Sequence, residues 1–483
     1  MVEKIELPPE AGAMIESTRS LGYSFHDAVA DIIDNSVSAG AENIELVCDY
    51  DCAEPFLSVF DDGCGMDDEE LRSAMTYGSK NPLDARRDDD LGRFGLGLKV
   101  ASLSQCSRLT VLSKKNDEIN GYCWDLDEVR RDNQWIVIVV DYKDICGMQI
   151  EKLEASETGT LVIWQNFDKL SKGAESVSSA MRTRLQNTRY HLSLVYHRYL
   201  AKSGPMSDAR NITIRVNGYS LKPRDPFLTS NSLTIPKINQ RFSYHGKEIQ
   251  VQGFIIPHIN QLSDEEIENL GGRGKMLHLQ GFYVYRNKRL ILPGGTWFKL
   301  SGKKQLQNLA RIMIDLPNDL DAEWSVDVKK ASVNLPEDFK NQLKVVLKDV
   351  LTTSKRVYTK RGKTAIGSEN RMIVRRDRKD YVTYEINRDH PFIKSLLENP
   401  EVSYEFQTVL SMIEHSIPYD DIRNDFEERL KPNALTDDER DAYIRRGMVY
   451  LDCTDGNLSE LATKEPYSIH PELIEELRGR GYK

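Results

Sequence analysis

The chain has 483 residues, 40% hydrophobic and 29% charged, with a formal net charge of −10 at pH 7. No run approaches the ~18 consecutive apolar residues that cross a bilayer, and residues 1–13 lack the basic-then-apolar order of a secretory signal, so a cytoplasmic protein outside the membrane is expected. The acidic balance excludes a surface that is basic throughout and leaves any nucleic-acid contact to local patches, while seven cysteines without a CxxC pair, and no His at ligand spacing, argue for reduced thiols rather than a zinc site.

At ~150 residues per domain the chain has room for two to four domains. A long helix is predicted over 25–37. Its apolar residues Phe25, Ala28, Val29, Ile32 and Ile33 share one face, and Asp27, Asp31 and Asn35 form a polar stripe beside it at i, i+4, i+8. Such a stripe also suits the solvated face of any amphipathic helix. As a site, it would set a general base beside a water and a carboxamide oxygen toward Mg²⁺, which prefers hard oxygen ligands. Strand-like runs at 43–48 and 56–60 follow, the second leading into Asp61-Asp62-Gly63-Cys64-Gly65. Two glycines one residue apart permit a tight turn against a flat ligand, and a carboxylate can accept an exocyclic amine. Asp67 with Glu70 three residues on forms a capping box for a helix through Leu71, Ala74 and Met75.

The charged run 80–90 precedes Gly92-Arg93-Phe94-Gly95-Leu96-Gly97-Leu98-Lys99. Glycines leading into a helix present backbone N–H groups to phosphate oxygens, although the spacing is neither the dinucleotide fingerprint nor a Walker A loop. Strands are predicted at 108–112, 135–140 and 160–164, completing an α/β domain over 1–172. A second α/β domain, 173–352, opens on a polar helix. It contains a hairpin turning at Asn217-Gly218, another over 282–291 turning near Asn287-Lys288, and a closing helix after Pro336. The Lys- and Arg-rich stretch 353–380 reads as an exposed linker, and 381–483 as a small, mainly helical module.

The order of these features resembles the GHKL superfamily of gyrase, heat-shock chaperone, histidine kinase and MutL ATPases: the Asp31/Asn35 helix, the Asp61–Gly65 turn, the Gly92–Gly97 segment, then Gly159-Thr160 on a strand. The segments "DDGCGM", "TYGSK", "GRFGLGLK" and "GTLVIW" are most similar to MORC ATPases and their prokaryotic relatives. The resemblance implies a Bergerat-fold two-layer α/β sandwich that binds ATP and Mg²⁺. By it, Asp61 binds the adenine amine with help from Thr160, and Gly63, Gly65 and Met66 line the base pocket. Asn35 ligates Mg²⁺, and Gly92, Arg93, Phe94, Gly95, Leu96, Gly97 and Lys99 belong to the phosphate-covering segment. "GFYVYRNKRLI" and Trp324 to Lys330 are similar to the transducer domain of such proteins, which carries a lysine that reaches the γ-phosphate; Lys329 and Lys330 both match by position. Asp31 is the expected base, with Asp27 and Asp34 as alternatives, and stands where active relatives carry Glu. Its shorter side chain reaches one methylene less toward a water that must come within roughly 3 Å, so turnover is expected to be slow.

The resemblance covers about residues 1–350. It implies an ATP-dependent homodimer that closes as a clamp, associated with DNA and with nuclease, helicase or methyltransferase partners in restriction or phage defence. A chaperone-like ATPase acting on protein clients shares the fold and is the alternative. Lys355, Arg356, Arg375, Arg376 and Lys379 are the candidate DNA contacts.

Overall fold

The computed structural model describes residues 9–20, 22–78, 97–169, 176–203, 206, 210–237, 239–276, 278–320, 323–324, 334–361, 371–377, 382–400, 403–417, 435–454, 457–468 and 470–482. Helices α1 (Ala11–Arg19) and α2 (Phe25–Ser38) precede strands β1 (Asn43–Asp49) and β2 (Phe56–Asp61). Helices α3 (Asp68–Met75) and α4 (Gly97–Gln105) lead to the hairpin β3 (Arg108–Lys115) and β4 (Glu118–Asp125). Then come α5 (Leu126–Asp132), β5 (Ile138–Val139), α6 (Ile150–Ala155), β6 (Gly159–Gln165), α7 (Val177–Val195), α8 (His197–Leu200), β7 (Thr213–Val216) and β8 (Tyr219–Ser220).

The strands form one eight-stranded sheet in the order β5-β4-β3-β6-β2-β1-β7-β8. Side-chain alternation makes it two-faced: in β6, Val162 and Trp164 enter the core shared with α1, α2, α4 and α7, while Leu161 and Ile163 join a smaller cluster with α6 on the other face. This is a two-layer α/β sandwich. Helix α2 is its keystone, burying Phe25, Ala28, Val29, Ile32, Ile33 and Val37. At roughly 1.5–3 kcal/mol for each large apolar side chain, that burial outweighs the few tenths that each β-branched residue costs in helix propensity.

Three expectations are corrected here. The hairpin turning at Asn217-Gly218 forms, but β7 pairs in parallel with β1 and extends the first sheet. Met181, Leu185, Tyr196 and Ile214 likewise belong to the first core, so packing does not break at 172/173. The strand expected over 135–140 shrinks to Ile138–Val139, an edge pair with Val139 exposed, and it pairs with β4, a full strand not placed from the sequence. The basic stretch is not a plain linker: its helix runs on to Arg361, because Lys and Arg are good helix formers, and Ile373–Asp377 is a strand.

The second sheet contains β9 (Ile235–Pro236), β10 (Gln240–Tyr244), β11 (Lys247–Ile255), β12 (Gly281–Arg286), β13 (Arg289–Pro293) and β14 (Ala310–Leu316), with α9 (Asp264–Asn269) in the loop before β12. Asn287 and Lys288, both at positive φ, turn the hairpin between β12 and β13 as expected from their sequence. Helix α10 (Glu337–Arg361) packs Phe339 against Phe242, Tyr244 and Trp324. Both sheets lie in one compact unit, Met1–Lys303 with Asn308–Thr352. They are joined through α7 and α8: Arg198 pairs with Asp315 at 2.6 Å, and the Tyr199 hydroxyl donates to the Asn287 carbonyl.

A second unit comprises Lys304–Gln307 and Thr353–Lys483. It carries the antiparallel pair β15 (Ile373–Asp377) and β16 (Val382–Ile386), then α11 (Pro391–Leu397), α12 (Ser403–His415), α13 (Asp437–Thr454), α14 (Leu458–Leu461) and α15 (Pro471–Gly479). Among the described residues no helix is long and apolar enough to cross a membrane.

Ile214 tests the placement of β7. It is fully buried against the helices, so Ile214→Ala should lower the stability of the first unit by about 2–5 kcal/mol, read as a shift in the urea midpoint. A near-neutral effect would contradict the eight-stranded sheet.

Candidate functional site

Helix α2 is capped by Ser24, whose side-chain oxygen accepts from the Asp27 N–H at 3.1 Å. The helix divides its polar residues by neighbour. The Asp27 carboxylate takes the Ser24 hydroxyl at 2.6 Å and lies 3.5 Å from His191 Nε2. Asp31 is 3% exposed and accepts the Tyr23 hydroxyl at 3.0 Å. Asn35, one turn on, is exposed. Asp34 points elsewhere and is wholly buried, its Oδ1 accepting Arg289 Nε at 2.7 Å with the Tyr196 hydroxyl 2.6 Å away.

Strand β2 delivers Asp61 opposite Thr160 of β6, in antiparallel register. The Asp61 carboxylate is 5% exposed; its Oδ2 accepts the Ser36 hydroxyl at 2.7 Å and its Oδ1 the Gly63 N–H at 3.0 Å. Burial pushes its pKa up to about 6, with the Ser36 and Gly63 hydrogen bonds opposing that rise. Gly65 has φ +63°, and a Cβ there would lie 2.0 Å from the Lys114 carbonyl oxygen, so only glycine fits. The next N–H, of Met66, donates to Ser113 Oγ at 2.8 Å, and that hydroxyl lies 3.0 Å from Thr160 Oγ1. Asp61, Gly63, Gly65, Met66 and Thr160 are therefore brought together.

The third contributor is the start of α4. A Cβ at Gly97 would stand 3.8 Å from Asp31 Oδ2, so this helix N-terminus, with its partial positive charge, adjoins Asp31. Lys99 does not join the group: its ammonium, 1% exposed, donates to the Ala74 carbonyl at 2.6 Å beside the Tyr77 ring. Gly92, Arg93, Phe94, Gly95, Leu96, Lys329 and Lys330 lie outside the described residues.

Several participants carry no sequence signal. Tyr23, Ser36 and Ser113 hold Asp31, Asp61 and Thr160 from other elements, and Arg289 comes from the second sheet. His26, Asp27 and His191 bring ligand atoms within 4.8 Å of one another, a cation-ligating type of cluster that α7 completes across the fold. Burial, together with the neighbouring His26, pushes His191 down to about 3 against the pull of Asp27, so its ring is neutral at pH 7.

Residues 23–160 match the family described as histidine kinase-, DNA gyrase B- and HSP90-like ATPase. Residues 23–160 are thus a GHKL-type ATPase domain. The chain is similar to the DNA mismatch repair protein MutL of Buchnera aphidicola, 33% identical over 105 residues, covering 21% of this chain and 17% of the relative. It is similar to MutL of Aeromonas salmonicida, 32% identical over 111 residues, or 22% and 16% of the two chains. It is also similar to ATPase morc-1 of Caenorhabditis elegans, 33% identical over 89 residues, 18% and 10% of the two. The matched part thus spans less than a fifth of each of these relatives.

The raised pKa of Asp61 has a sign that can be measured. Because the folded GHKL domain holds this proton more tightly than the unfolded chain does, the stabilisation is full below about pH 4 and is lost as pH rises through about 6. The loss is on the order of 3 kcal/mol. Urea midpoints of the nucleotide-free wild type and Asp61→Asn, compared from pH 4.5 to 7, should differ by this slope; parallel curves would show that Asp61 is already ionised throughout.

Proposed function

We propose that this chain binds Mg·ATP on α2 and the β2 turn, hydrolyses it slowly, and uses ATP to close a homodimer that acts as a clamp on DNA. The observation that carries the reading is the placement of Asp61 against Gly63, Gly65 and Thr160, with Asp31 and Asn35 on the adjoining helix and the α4 N-terminus beside Asp31. A buried carboxylate of this kind selects an amine donor, and a helix N-terminus favours phosphate.

The choice of base draws on where each carboxylate lies. Asp27 is engaged by Ser24 and His191, and Asp34 by Tyr196 and Arg289. Asp31 is the one that adjoins the α4 N-terminus, so it is assigned as the base that takes the proton of the attacking water. Asn35 offers an exposed carboxamide oxygen one turn away, a hard donor suited to Mg²⁺, which keeps most of its other positions for phosphate and water. When bound, Mg²⁺ supplies charge neutralisation to the phosphates. Tyr23 orients the Asp31 carboxylate, and Lys329 or Lys330 is assigned to sense the γ-phosphate. The DNA-associated part of the reading draws on the similarity to MutL, named as a DNA mismatch repair protein, and on the basic residues from Lys355 to Lys379.

These roles separate in mutants. Asp31→Ala should bind ATP and accumulate as the closed dimer with turnover reduced by about 100-fold or more, whereas Asn35→Ala should fail to bind Mg·ATP. Sedimentation with a non-hydrolysable analogue, beside a phosphate-release assay, reads both. Wild-type turnover in Asp31→Ala would remove the base assignment, and an association state indifferent to nucleotide would remove the clamp. Neutralising Lys355, Arg356, Arg375, Arg376 and Lys379 should weaken duplex-DNA binding and flatten its salt dependence; duplex binding that is absent in the wild type would leave an ATPase acting on protein clients.

A further inference from the structure

Arg289 reaches from the second sheet to the helix that carries Asp31. It is the first residue of β13, directly after the tight turn at Asn287-Lys288, and the Tyr199 hydroxyl anchors that turn by donating to the Asn287 carbonyl. Its side chain is 4% exposed. Burial disfavours the charged guanidinium, yet the carboxylates of Asp34 and Asp31 outweigh that effect and raise its pKa, so it is a cation at every working pH.

A cation set against two carboxylates in a buried interior is a costly way to join two sheets, because packed apolar side chains of similar volume do so at least as well. The distances point to another use. Arg289 Nε donates to Asp34 Oδ1 at 2.7 Å, whereas Nη2 stands 4.0 Å from Asp31 Oδ1, outside hydrogen-bond range. At that separation the guanidinium acts on the Asp31 carboxylate through its charge rather than through a hydrogen bond, and the Tyr23 hydroxyl donates to the other oxygen, Oδ2. Asp34 is what holds the guanidinium back, with the Tyr196 hydroxyl bracing Asp34 in turn.

We propose that Arg289 is a positioning residue for ATP hydrolysis: tethered by Asp34, it sets the reach and orientation of Asp31, so the β12–β13 hairpin controls the base without touching nucleotide. This rests on the reading of Asp31 as the base. Two different changes then have one consequence. Arg289→Met removes the charge that orients Asp31, and Asp34→Asn removes the charge of the tether, so that the guanidinium is held less firmly relative to Asp31. Arg289→Lys keeps the charge but loses the planar fork, and so restores part of the function.

The test uses the full chain: wild type, Asp31→Ala, Arg289→Met, Arg289→Lys and Asp34→Asn. ATP affinity is measured by calorimetry, phosphate release at saturating ATP, and thermal unfolding by circular dichroism. Arg289→Met and Asp34→Asn should keep ATP affinity within about threefold and lose about tenfold or more in kcat, with Arg289→Lys roughly threefold above Arg289→Met. A folded Asp34→Asn or Arg289→Lys protein with wild-type kcat in both cases overturns the proposal even if Arg289→Met fails to fold. So does a kcat that simply follows the melting temperature across the set, with Lys no better than Met. Asp31→Ala separates the two levels: if it retains turnover, the base assignment fails and this proposal with it; if it is inactive while Arg289→Met turns over normally, the positioning role alone is wrong.

Discussion

Helix α2 can serve a site only because its position is fixed from both sides, and the buried pair of Asp34 and Arg289 is the contact that fixes it from the second sheet. The apolar face of α2 lies on the eight-stranded sheet, where Ala28, Val29 and Ile33 are wholly buried. Hydrophobic burial alone is non-directional and would tolerate small rotations about the helix axis. A charged hydrogen bond at 2.7 Å, braced by Tyr196, does not tolerate them. Because Asp31, Asp34 and Asn35 share one rigid helix, locking Asp34 also sets the direction of Asp31 and the exposure of Asn35. A buried polar network of this kind contributes specificity of arrangement more than net stability.

The β2 turn is fixed by different means. Gly65 is wedged against the Lys114 carbonyl, Met66 is tied to Ser113, and Ser113 lies beside Thr160, so the turn is pinned to β3 and β6 by backbone geometry and small hydroxyls. Asp61 is thereby held buried deeply enough to raise its pKa, while Ser36 of α2 reaches the same carboxylate. Through that hydroxyl the two halves of the site share a direct link. A displacement of α2 would be felt at Asp61 as well as at Asp31.

What was legible in the sequence was whatever is local. The helical period sets Asp31 and Asn35 on adjacent turns, and the glycine spacing announces the turn after β2. Likewise Asp67 with Glu70 announces α3, where both reciprocal hydrogen bonds of the capping box are present. Partners across the fold were not legible: Arg289 and Asp34 are 255 positions apart, and no periodicity connects them. The Asn217-Gly218 hairpin shows the same division, since turn chemistry fixes the hairpin but not the sheet it joins. Strand β4, with Gly121 inside it, was not legible either. A Cβ at position 121 would meet Leu112 at 2.4 Å and the Val140 carbonyl at 2.7 Å, so glycine there answers a demand of packing. Basic composition likewise hid the last turns of α10, because charge says nothing against helix.

The proposed reading of adenine by Asp61 and the glycines beside it is a matter of hydrogen-bond complementarity. It is tested most directly by titrating the wild-type protein with Mg·ATP and with Mg·GTP in a calorimeter at pH 7.5. Adenine offers an amine donor where guanine offers a carbonyl oxygen, which would face a carboxylate with no hydrogen to share. Saturable ATP binding at one site per chain is expected, with GTP binding weaker by about 100-fold or more because a buried acceptor loses its donor. Equal affinity for the two nucleotides, or no heat with either, would contradict it.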